Sequence, residues 1–86
     1  MSKVQNSMCD KLTYNVLVQY GCQTSAQVRT CMNRMYDDSY STGSIGASLR
    51  KMAQKGVAAS SDNGRGQKVY WITEFGKERA KDYALS

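Results

Sequence analysis

The chain has 86 residues, room for one small domain and no separate catalytic unit. Hydrophobic residues make up 41% and charged ones 22%, the balance of a globular protein and not of a disordered one. Twelve Lys and Arg against seven Asp and Glu give a net charge of +5, and histidine is absent; together with the lack of a CxxC pair this argues against zinc, and no cofactor is expected.

The first predicted element is a helix over 7–20. Ser7 and Asp10 are spaced as a conservative capping box, and Met8, Leu12 and Val16, with Cys9 and Tyr20 beside them, recur at three- and four-residue steps. Gly21 suits the position that ends a helix. Cys22 and Gln23 leave space for a stub of strand only. Thr24 or Ser25 then caps a second helix with Val28, Cys31, Met32 and Met35 on its inner face, and Asp37, Asp38 and Ser39 mark its end. Tyr40 is the apolar anchor expected in the loop that follows.

A third helix is expected over 41–55, capped by Ser41 or Thr42 and stopped by Gly56. Ile45, Leu49 and Met52 form its narrow apolar stripe. The rest of the helix is small or cationic: Gly43, Ser44, Gly46, Ala47, Ser48, Arg50, Lys51 and Lys55. The glycines and serines lower helix propensity, but small residues also remove the bulk that would hold the helix away from another surface. After this come two strand-like runs, 57–61 and 67–72, around the turn-rich Asp62-Asn63-Gly64-Arg65-Gly66. Trp71, alternating with Tyr70 and Ile72, is expected to face away from the core they cover; packing under the last helix is its commoner fate, a partner contact the rarer one. Thr73 caps a final helix over 74–85, with Phe75, Ala80 and Tyr83 as candidates for its buried side.

The charge is not spread evenly. Residues 44–73 hold Arg50, Lys51, Lys55, Arg65 and Lys68 against Asp62 alone, so +4 of the +5 falls on the third helix and the hairpin. Cys9, Cys22 and Cys31 are odd in number and near apolar positions, which predicts reduced, mostly buried thiols in a cytoplasmic protein. No apolar run reaches the length of a membrane span. The reading is one domain over 1–86, with residues 1–6 flexible.

Within 49–80, Leu49, Met52, Lys55-Gly56-Val57, Asn63-Gly64-Arg65-Gly66, Tyr70, Ile72, Thr73 and Gly76 follow the pattern L-x-x-L-x-x-K-G-h, a Gly/Arg-rich turn, then Y-x-h-T-x-x-G, with h apolar. This stretch resembles the second half of winged helix-turn-helix regulators of the MarR and PadR kind. The resemblance implies an α+β, mainly α, fold: a three-helix core, a two-stranded wing and a C-terminal helix. It also implies a regulator that binds double-stranded DNA, with a homodimer on a two-fold site as the expected assembly.

Thr42, Gly43, Ser44, Ala47, Ser48, Arg50 and Lys51 are accordingly the candidates for major-groove contact, from the helix over 41–55. Arg65 and Lys68, on a wing over 61–68, are the candidates for the backbone or minor groove. Asn63-Gly64 would suffice for a hairpin turn, so Arg65 between two glycines is read as exceeding what the turn requires. The brevity of the chain suits a regulator of a phage, plasmid or other mobile element. The competing function is a winged-helix protein-interaction module, an adaptor or inhibitor, for which Trp71 and the six tyrosines would supply contacts. Catalysis has little support: the Asp37-Asp38 pair sits in a loop, where acidic pairs are usually solvated caps, and Cys9, Cys22 and Cys31 lack a nearby base.

Overall fold

Each α-helix among the described residues starts on a hydroxyl side chain. In the computed structural model, which describes residues 7–37 and 40–85, α1 spans Met8–Tyr20, α2 Ser25–Tyr36 and α3 Thr42–Gln54. Strands β1 (Ala58–Asp62) and β2 (Lys68–Ile72) follow, then a single-turn α4 (Glu74–Lys77) and a 3-10 turn, Ala80–Tyr83. The expectation for residues 1–6 lies outside the described residues, as do Asp38 and Ser39.

The predicted capping box of α1 is complete: Ser7 Oγ accepts the Asp10 amide at 3.1 Å, and the Ser7 amide donates to Asp10 Oδ2 at 3.1 Å. Thr24, not Ser25, caps α2, because Gln27 three residues on returns the bond to the Thr24 amide at 2.9 Å. Ser41, not Thr42, caps α3 by accepting the Ser44 amide at 3.1 Å. At the far end of α3, Gly56 takes φ +79°. The Val57 amide then bonds Met52 O at 2.9 Å and the Gly56 amide bonds Ala53 O at 3.1 Å, the paired bonds of a Schellman closure.

The apolar stripes of the three helices meet in one core. Leu12, Val16, Leu17, Val28, Met32, Ile45, Leu49 and Met52 are all buried, with Tyr70 and Ile72 closing it from β2. Cys31, Met35 and Tyr40 pack on its edge. Strand β2 pairs antiparallel with β1 from Ala58–Ile72 to Asp62–Lys68. On its other side it forms a two-bond bridge to Gln23, with Tyr70 N–H to Gln23 O at 2.8 Å and the reverse bond at 3.0 Å. The stub of strand between α1 and α2 thus becomes a third rung. Trp71 is half-buried, opposite Ala59.

Two expectations are corrected. Only Cys9 of the three cysteines is buried; Cys31 is half-buried and Cys22 exposed. The expected helix over 74–85 is broken after one turn, and Phe75 and Ala80 are exposed while Tyr83 alone of the predicted trio is buried. The cause is Gly76. Its carbonyl accepts the Tyr14 hydroxyl at 2.7 Å and the Arg79 amide, three residues on, at 3.0 Å, so the chain tightens and does not propagate as an α-helix. The tightened turn delivers Tyr83 onto Tyr14, ring centroids 4.4 Å apart and planes within 8°.

Candidate nucleic-acid interface

With Ile45, Leu49 and Met52 fully buried, the helical period of α3 turns Thr42, Gly43, Ser44, Ala47, Arg50 and Gln54 outward, and all six are exposed. The first turns of the helix therefore present a low, uncluttered surface ending at one arginine. The Arg50 guanidinium lies back along the helix beside Gly46, where a Cβ would meet Nη1 at 3.4 Å, an ordinary contact distance.

Ser48, expected on the reading face, is not on it. The residue is 5% exposed, and its hydroxyl donates to Cys9 Sγ at 3.4 Å across the α1–α3 contact. The spacing 45, 48, 49, 52 carried that information, since Ser48 lies on the inward stripe by position even though its side chain is polar.

Lys51, another of the candidates, has a partner within the fold. Its ammonium pairs with Asp10 Oδ2 at 2.5 Å; the lysine side chain is 43% exposed and the aspartate side chain 2%. Burial pushes the Asp10 carboxyl up. Hydrogen bonds from Lys51, Ser48 and the Ser7 amide, together with the lysine charge, outweigh that and hold it below its usual value. A carboxyl depressed by folding contributes stability that is fully present above its unfolded value, about 3.9, and is lost as pH falls through the lower folded value. Unfolding free energies of wild type and Asp10→Asn are therefore expected to differ at pH 7, the difference shrinking progressively as pH falls from about 4 through the lower folded value. Parallel curves down to about pH 2 would refute this.

The wing is a five-residue loop, 63–67, and not a two-residue turn. Asn63 braces it from within: its carboxamide oxygen accepts the Arg65 amide at 2.8 Å and its backbone amide donates to Gln67 O at 2.9 Å. Gly64 and Gly66 have φ of +84° and +77°, so both glycines are required by the loop itself. The second glycine is therefore not surplus to the turn, as the dipeptide reading had it. Arg65 and Lys68 are exposed.

What the tertiary structure adds is a convergence. A shallow cleft of about 190 Å³ is lined by Arg50 from α3, Lys68 and Gln67 from the wing, and Thr24, Ser25 and Ala26 from the start of α2. Two cations 18 positions apart in the chain thus share one concavity with the positive end of a 12-residue helix. The start of α2 was not among the candidates, although the Thr24–Gln27 capping box that orients its amides was legible as a pattern. Among the described residues, no helix is long and apolar enough to cross a membrane.

Neither any family model nor any curated protein sequence matches the chain. Solved structures do. RosR of H. salinarum superposes with a TM-score of 0.76 at 17% identity, over 90% of this chain and 69% of its own. The winged-helix DNA-binding protein of STIV gives 0.73 at 19%, over 84% of this chain and 78% of its own. Bacillus subtilis PadR, solved in complex with operator DNA, gives 0.71 at 16%, over 90% of this chain but 45% of PadR. The chain has the winged helix-turn-helix fold and is similar in structure to PadR-type regulators.

Proposed function

We propose that this chain is a small DNA-binding transcriptional regulator. The start of α3, through Thr42, Gly43, Ser44, Ala47 and Arg50, enters the major groove, and Arg65 and Lys68 of the wing hold the flanking backbone or minor groove. The observation that carries the reading is the shared cleft of Arg50, Lys68 and the α2 N-terminus beside a flat, small-residue helix face. Phosphate binding needs convergent positive groups, and groove entry needs a helix without bulk at its leading turns; one face supplies both. The likeness to a PadR solved with operator DNA supports it. One such module offers little affinity alone, so two copies on a two-fold site are the proposed assembly.

The test is fluorescence anisotropy of labelled random and genomic duplexes, titrated between about 50 and about 200 mM salt. Arg50, Arg65 and Lys68 each neutralising one phosphate predict a log–log slope of about −2.7 or steeper per protomer. Failure to bind any duplex at the lowest salt would overturn the proposal in favour of a protein-interaction module.

A further inference from the structure

The Asp10–Lys51 pair lies at the edge of the proposed reading surface. Lys51 follows Arg50 directly on α3, and its side chain is open to solvent on one side. On that side it lines a groove of about 440 Å³ between α3 and the start of α1, together with the exposed Ser44 and Ala47. An ammonium in this position has two anions within its choice, the buried carboxylate of Asp10 or a phosphate of a docked duplex.

Resting on the DNA-binding reading, we infer that Asp10 is a positioning residue of that face: it occupies Lys51 in place of a phosphate, withdraws one cation from the duplex-facing set, and braces α3 against α1. The carboxylate cannot follow the lysine outward. Asp10 Oδ2 also accepts the Ser7 amide at 3.1 Å, and the Asp10 amide is held by Ser7 Oγ, so the group is fixed in the first turn of α1. If Lys51 left for a phosphate, a carboxylate with 2% exposure would remain without its cation, a larger loss than one solvent-screened lysine–phosphate contact restores. Lys51 therefore stays on Asp10 when DNA binds.

This separates the roles of adjacent residues. Arg50 counts among the phosphate or base contacts and Lys51 does not. Asp10→Asn keeps an oxygen for the Ser7 amide but removes the charge that retains Lys51, which frees the ammonium for the duplex.

The experiment is the salt dependence of duplex affinity for wild type, Lys51→Ala, Asp10→Asn and the double variant, each checked for folding by circular dichroism. Lys51→Ala is expected to keep the wild-type slope. Asp10→Asn should steepen it by about 0.9 and bind about eightfold more tightly near 0.1 M salt, the effect of one added phosphate contact. The double variant should return to the wild-type slope. A merely structural Asp10 would change affinity without moving the slope. A slope flattened by about 0.9 in Lys51→Ala, or unchanged in a folded Asp10→Asn, would overturn the inference. If Asp10→Asn does not fold, the slope of Lys51→Ala decides alone. Absence of wild-type binding overturns the DNA reading and this inference with it, whereas wild-type binding with the wrong variant slopes overturns only the role of Asp10.

Discussion

Gly76→Ala is expected to destabilise the domain by about 3 kcal/mol or more, lowering the melting temperature by about 12–24 °C. A Cβ at this position would stand 2.0 Å from Val57 O, 2.9 Å from Val57 C and 2.8 Å from Ile72 Cγ2. Two of these three are backbone or bonded directly to it, so no rotamer change relieves the contact. Val57 O is itself engaged, accepting the Thr73 amide at 3.0 Å, and Thr73 in turn caps α4. Moving Gly76 outward would also pull its carbonyl from the buried Tyr14 hydroxyl and displace the turn that seats Tyr83. Thermal unfolding followed by circular dichroism measures the effect. A shift of less than about 3 °C would mean that the α4–hairpin contact is looser than described. The glycine of the sequence pattern is thus explained by close approach rather than by a left-handed turn.

Replacing Arg50, Arg65 and Lys68 together by alanine is expected to weaken duplex binding on the order of 10²–10³-fold at about 0.1 M salt, with the salt slope flattened by about 2.7. The arithmetic follows from counterion release, about 0.9 per phosphate contact, summed over three exposed side chains. All three lie outside the core, so the melting temperature should move little. Arg65→Ala with Lys68→Ala should account for about 1.8 of the slope and Arg50→Ala for the remainder, unless Arg50 reads a base, in which case its loss also relaxes sequence preference. Anisotropy titrations against operator-like and random duplexes separate these effects. Affinity within about threefold of wild type, at unchanged slope, would remove both α3 and the wing from the interface.

The tyrosine stack gives the protein an alkaline limit that complements the acid one. Burial pushes the Tyr83 and Tyr14 hydroxyls above their usual values, and the Asp82 charge adds to both. Groups raised in the folded state contribute stability that is complete below the unfolded value, about 10, and lost as pH rises through the folded one. Together with Asp10 this leaves the neutral range as the plateau.

Much of this protein was legible in its sequence because much of it is decided locally. Ser7 with Asp10, the Ile45–Leu49–Met52 stripe, Gly56 after α3 and the hairpin composition each act through bonds or periodicity within a few residues. They placed three helices and the wing nearly to the residue. The choice between Thr24 and Ser25 was also local, and turned on whether Gln27 reached back.

What only the tertiary structure decided involves partners distant in sequence. Ser48 is polar by type but inward by position, and Cys9 on α1 receives its hydroxyl. Lys51 resembles its neighbour Arg50 in the chain, yet only Lys51 is paired with a buried carboxylate 41 positions earlier. The last helix ends early because Gly76 is held between Val57 and Tyr14. The cleft that gathers Arg50, Lys68 and the start of α2 exists only once the wing folds back beside α3. Short-range propensity determines which elements form; which side chains face solvent, and which charges remain for a ligand, is settled by long-range packing.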